Sequence, residues 1–137
     1  MASLAARWSA ARKQELLSSR LRSTKAITKA LAESPDCRVF LSGSAIGYYG
    51  DQGDTLLDES SPAGTGFLAD LVQQWEAAAD EAPERVRVAK LRTGHVLAGQ
   101  GGILGKQKLI YQLGAGGRIG TGEQYVSWIA ISDHVAA

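Results

Sequence analysis

The stretch from Arg38 to Asp51, R-V-F-L-S-G-S-A-I-G-Y-Y-G-D, constrains this chain more than any other. A short apolar run (Val39, Phe40, Leu41) gives way at once to small and hydroxyl-bearing residues (Ser42, Gly43, Ser44, Ala45), then to paired tyrosines bracketed by glycines. Such a break marks the end of a strand. Because the run is continuous and not alternating, it predicts a strand covered on both faces, as in a parallel sheet between helices. In open α/β sheets ligands bind beyond the carboxyl ends of the strands, so Ser42, Ser44, Tyr48 and Tyr49 are expected at a ligand crevice.

The flanking chain supplies the elements such a sheet needs. Ser9 can cap a helix running to about Glu33, with Leu17, Leu21, Thr24, Ile27 or Thr28, and Leu31 on one stripe and Pro35 beyond its last turn. Gly47 to Gly66 is longer than an ordinary connection, which suits a functional loop. A second helix is expected from roughly Phe67 to Glu81, with Phe67 or Leu68, Leu71, Val72, Trp75 and Ala79 on its apolar face and Glu76 as an exposed acid. Arg85 to Leu91 then reads as a strand, Arg92 to Gly102 as a glycine-rich turn region and Ile103 to Leu113 as a third helix. Gln124 to Ile129 is β-prone, and Ser132 with Asp133 resembles a cap for a helix opening at His134. Helix and strand alternate, which predicts an α/β domain with parallel pairing, and 137 residues make about one domain. Two or three strands are few for a doubly wound sheet, so a partial one is expected, in a chain that reads as cut at both ends.

Composition narrows the partners. Fifteen basic against fourteen acidic residues leave a net charge of +1, which gives no electrostatic preference for nucleic acid or membrane surfaces. Cys37 is the single cysteine, so an intrachain disulfide is impossible. His95 and His134 lie far apart without flanking carboxylates at ligand spacing, and no metal is expected. No apolar run approaches membrane-spanning length, and a cytoplasmic location is the default expectation. Gly64-Thr-Gly66-Phe-Leu-Ala69 fits a dinucleotide fingerprint in letters and opens a helix, but it follows D-E-S-S-P-A where a buried strand belongs.

Four segments resemble the atypical branch of extended short-chain dehydrogenases known as epimerase family proteins. They are A-A-R-K-Q-E-L-L-S-S-R-L-R-S-T (Ala10 to Thr24), S-G-S-A-I-G-Y-Y-G-D (Ser42 to Asp51), L-R-T-G-H-V-L (Leu91 to Leu97) and G-E-Q-Y-V-S-W-I (Gly122 to Ile129), in the family's order. The resemblance implies an NADP-binding, Rossmann-like doubly wound fold with a small substrate lobe, to which residues 99–128 contribute. It implies that the family's phosphate-binding loop would precede Met1. By the same resemblance Ser44 and Tyr49 are catalytic positions. Ser42, Gly43, Arg92, Thr93, Gly94, His95 and Val96 fall on the cofactor side, and Tyr48, Phe67, Gln124 and Trp128 face a small-molecule substrate, with Tyr125 beside them.

The resemblance also carries a departure. Extended members use Tyr-x-x-x-Lys at the start of the helix after the long loop, one turn apart, so that the lysine lowers the tyrosine pKa. Phe67 and Leu71 stand there instead. Neither moves a proton. Ser44 is thus read either as orienting a substrate carbonyl or as satisfying backbone at a strand end, and Arg92 either as a bidentate anchor for a phosphate or carboxylate or as a structurally paired charge. The implied activity is an NAD(P)-dependent oxidoreductase or epimerase on a carbonyl, alcohol or nucleotide-linked sugar. The alternatives are a cofactor-binding or regulatory module without turnover, or an inactive fragment.

Overall fold

A computed structural model describes residues 8–99, 101–118 and 120–137. In chain order the elements are α1 (Ala10–Ala32), β1 (Val39–Ala45), a 3-10 turn (Ile46–Tyr49), α2 (Phe67–Asp80), β2 (Arg87–Thr93), β3 (His95–Leu97), α3 (Gly102–Gln112), β4 (Trp128–Ala130) and α4 (Ile131–Ala136). They fall into two compact units, Met1–Arg92 and Thr93–Ala137. The segment 99–128 lies within the second.

In the first unit α1 starts where its capping residue dictates: Ser9 stays extended and its Oγ accepts from the Arg12 N–H at 3.2 Å. The other end is held from afar. Arg85 Nη2 donates to the carbonyls of Leu31 (2.6 Å), Ser34 (3.3 Å) and Ala32 (3.4 Å), adding a charged donor at the terminus where Leu31 and Ser34 also accept from the Ser34 and Cys37 N–H groups. Thr24, Thr28 and Leu31 form the buried stripe of α1, and Ala69, Leu71, Val72, Glu76, Ala78 and Ala79 that of α2. The two helices pack together, and Trp75 Nε1 donates to Thr24 Oγ1 at 2.9 Å between them. Leu31, Phe40, Ala79 and Val86 make the core, each large apolar side chain contributing roughly 1.5–3 kcal/mol on burial.

β1 runs longer than its apolar letters, through Ser42 and Ser44 to Ala45, and it is not covered on both faces. Phe40, Ser42 and Ser44 are buried, whereas Val39 and Leu41 remain 46% and 62% exposed. Continuous apolar letters record what both faces tolerate; α1 and α2 cover only one of them here. β2 pairs with β1. The strands start side by side, with the Arg87 N–H donating to the Arg38 carbonyl at 2.8 Å, and near their far ends Ser44 and Arg92 both reach Glu76. They therefore run parallel, with α2 as the crossover.

In the second unit β3 pairs in parallel with β4, in the register His95↔Trp128, Val96↔Ile129 and Leu97↔Ala130. The turn region expected from Arg92 to Gly102 thus contains a short strand, because His95 to Leu97 finds a ladder partner more than thirty residues on. The β-prone run keeps only Trp128–Ala130 as strand. α4 opens at Ile131 after Ala130, so Ser132 lies inside its first turn and does not cap it. Gly94 is fixed by close approach: a Cβ there would come within 2.7 Å of the Ser127 carbonyl oxygen, the group that accepts from the His95 N–H. Among the described residues no helix is long and apolar enough to cross a membrane.

Candidate functional site

The sequence places Ser44, Glu76 and Arg92 on three different elements, and the fold joins them at the carboxyl ends of β1 and β2. Glu76 is 5% exposed, not the solvated acid expected from its neighbour Trp75. It sits four residues after Val72 and three before Ala79, which puts it on the buried stripe of α2. Its carboxylate receives Arg92 in a fork, Nε to Oε1 at 2.8 Å and Nη2 to Oε2 at 2.9 Å. Ser44 Oγ donates to the same Oε1 at 2.5 Å.

Arg92 continues the network outward. Its remaining nitrogen, Nη1, donates to Tyr49 Oη at 2.9 Å and reaches the Glu59 carbonyl at 3.4 Å. The guanidinium carbon lies 3.5 Å from the Tyr48 ring centroid and 5.1 Å from that of Tyr49, and the two rings meet edge to face at 5.3 Å. The 3-10 turn holds both tyrosines in place. Behind it the Gly64 N–H donates to the Tyr48 carbonyl at 2.9 Å, and a Cβ on Gly64 would overlap the Tyr49 carbonyl oxygen at 2.0 Å. Only glycine lets the long loop pass so close.

Electrostatics follow the geometry. Burial pushes the Glu76 carboxyl upward, but the hydrogen bonds from Arg92 and Ser44 and the positive charges of Arg92 and Lys90 outweigh it, leaving Glu76 below its ordinary value. The Arg92 guanidinium is raised, chiefly by its hydrogen bonds to Glu76, against the opposing effect of burial and with a smaller push from Tyr49. Both groups are ionised at neutral pH. Among the described residues, no buried side-chain polar atom lacks a partner.

Of the residues singled out by sequence, Ser44, Tyr48, Tyr49 and Arg92 come together, through a glutamate that sequence reasoning set aside. The signal for it was present: a carboxylate on the apolar stripe of a helix, where charge is retained only if paired. Arg92 proves to be the structurally paired charge of the two readings, since each of its nitrogens donates within the protein. Ser42 is buried with its Oγ turned to the Gly43 carbonyl at 3.2 Å, and a Cβ at Gly43 would press on the Trp75 ring at 3.2 Å. Phe67 begins α2 in a separate open cleft of about 560 Å³, where its ring meets Trp8 edge to face at 5.7 Å and carries the Lys13 ammonium at 5.1 Å. Leu71 is buried. Thr93 ends β2, while Gly94, His95, Val96, Gln124 and Trp128 belong to the second unit; there His95 Nδ1 lies 3.2 Å from the Ser127 carbonyl, and Gln124 and Trp128 are exposed.

No protein-family model matches the chain. Individual relatives do. It is 44% identical to an epimerase family protein of Mycobacterium leprae over 96% of this chain and 43% of that protein. It is 39% identical to the chloroplastic SDR39U1 homolog of Arabidopsis thaliana over 96% of this chain and 39% of the relative. Among solved structures it resembles human epimerase family protein SDR39U1, crystallised with NADPH, with a TM-score of 0.86 and 35% identity over 93% of this chain and 44% of that one. It also resembles a nucleoside-diphosphate sugar epimerase from Corynebacterium glutamicum, with a TM-score of 0.79 and 41% identity over 95% of this chain and 28% of that one. The fold is therefore Rossmann-like α/β. Over nearly all of its own length, and less than half of theirs, this chain matches the epimerase family branch of the short-chain dehydrogenase-type proteins.

Proposed function

We propose that this protein is an NAD(P)-dependent, epimerase-like oxidoreductase acting on a small carbonyl, alcohol or nucleotide-linked sugar. One observation carries the reading: a hydrogen-bonded Ser44–Glu76–Arg92–Tyr49 network at the carboxyl ends of two parallel strands, where α/β folds bind ligands. The human relative crystallised with NADPH supports the choice of cofactor. Such a cofactor, when bound, supplies hydride transfer. By resemblance, the residues at the ends of β1 and β2 would meet the nicotinamide end of that cofactor. Each nitrogen of Arg92 already donates within the protein. On this reading Tyr49 faces the substrate with Tyr48 as a pocket wall, and Ser44 supports them from beneath.

The experiment is a titration of the chain with NADPH, following the cofactor's own fluorescence, and then an assay of turnover on a panel of ketones and sugar nucleotides. Saturable enhancement with turnover is expected. Absence of any saturable response overturns cofactor binding. A second reading, a binding module without turnover, is favoured by Phe67 and Leu71 at the positions where the family's tyrosine and lysine stand. Saturable NADPH binding without turnover across the panel would decide for it.

A further inference from the structure

We infer that Arg92, clamped by Glu76, positions the Tyr49 hydroxyl as the hydrogen-bond donor to a neutral carbonyl oxygen of the substrate, replacing the positioning lysine absent at Leu71. The inference rests on the function proposed above and deepens it: it names the reacting group as C=O and adds Glu76, which nothing else assigns to the site.

The argument is one of donor direction. A guanidinium has only donors, so in the Arg92 Nη1–Tyr49 Oη contact at 2.9 Å the tyrosine oxygen must accept. Its own proton points elsewhere, and among the described residues no hydrogen bond from it to a protein acceptor is seen. Ser44 is the reverse case. Its proton goes to Glu76 and the residue is 6% exposed, so it is a poor donor for a substrate and a good strut for the carboxylate. The direction of Arg92 follows from Glu76. By occupying Nε and Nη2, one edge of the planar group, the carboxylate turns Nη1 outward to Tyr49, and the Tyr48 face at 3.5 Å holds that plane in place. A lysine, as a single point charge, cannot bond both oxygens of Glu76 and Tyr49 in this geometry. Tyr49 itself is only half-buried, within reach of a ligand. A permanent cation behind a phenol favours an acceptor that draws the phenol proton toward itself, as a carbonyl does.

The test uses the full chain carrying ¹³Cζ-tyrosine, titrated with cyclohexanone and observed by NMR. Tyr49→Phe keeps the Glu76–Arg92 pair and identifies the Tyr49 signal by its disappearance. The ketone is expected to move that signal saturably, and its binding, read from saturation transfer to the ligand, should weaken about three- to tenfold in Tyr49→Phe. Arg92→Lys should displace the Tyr49 signal before any ketone is added and produce the same loss of affinity; Glu76→Gln should do so in part. A Tyr49 signal indifferent to ketone, or a Tyr49→Phe variant binding it equally well, overturns the inference, and so does an Arg92→Lys variant with an unmoved Tyr49 signal. If Arg92→Lys does not fold, Tyr49→Phe alone decides. The same samples titrated with NADPH separate the two ideas: a ketone response at Tyr49 without NADPH binding overturns the cofactor reading alone, and NADPH binding without that response overturns this one alone.

Discussion

The two units of the molecule are built on different principles. In Met1–Arg92 two helices close over one face of a strand pair, a core forms around Phe40, and among the described residues every buried side-chain polar atom has a partner. In Thr93–Ala137 no described residue is fully buried, and large apolar side chains such as Leu113, Tyr125, Trp128 and Val135 stand mostly exposed. A three-residue ladder and local helices hold that unit. The difference teaches where sequence changes will register. A core couples many side chains to one cooperative transition, whereas a short ladder couples few.

The comparison can be broken most forcefully at its centre. Phe40→Ala should cost the first unit about 3–5 kcal/mol, read as a lowered denaturation midpoint, because the ring leaves a cavity between α1, α2 and the sheet. Glu76→Ala should follow at about 2–3 kcal/mol, since it strands the Arg92 charge and the Ser44 hydroxyl together. The same residue sets a pH signature. Its carboxyl is held below its ordinary value in the fold, so the stability it provides is complete above about pH 4.5 and is lost as pH falls through the depressed native value. Glu76→Gln should flatten that acid limb of a stability–pH curve. Arg85→Ala, which removes the charged donor from the carbonyls at the end of α1, should cost about 1 kcal/mol. At the small end, Trp128→Ala on the 63% exposed side chain should shift stability by less than about 0.5 kcal/mol. A loss there comparable to that of Phe40→Ala would show that the contrast between the units is wrong.

Much of this was legible in the letters. Ser9 and Pro35 bracket α1, the D-Q-G-D to G-T-G stretch announces the loop, and Val39 to Leu41 announce β1, although the break after Leu41 falls inside the strand and not at its end. What stayed hidden depends on partners distant in sequence. Whether Val39 and Leu41 are covered depends on what packs against that face, and an apolar run is equally compatible with either answer. Glu76 looked like a surface acid because Trp75 beside it also suits the stripe, and only Arg92, sixteen residues on, makes burial of the carboxylate tolerable. His95 to Leu97 looked like turn because its ladder partner lies across α3. Local chemistry shows in spacing; long-range pairing of charge and strand does not.

Trp75 gives the molecule a built-in optical gauge. Of the three tryptophans, Trp128 is 63% and Trp8 47% exposed, while the Trp75 indole is bonded to Thr24, lies near the Arg20 guanidinium at 5.4 Å and rests beside Gly43. Its emission should therefore be the blue-shifted component of the spectrum. Because Trp75 stands on α2 and its bond reaches Thr24 on α1, any event that parts the two helices should shift that emission. The packing of α1 on α2 can thus be followed by light, without a label.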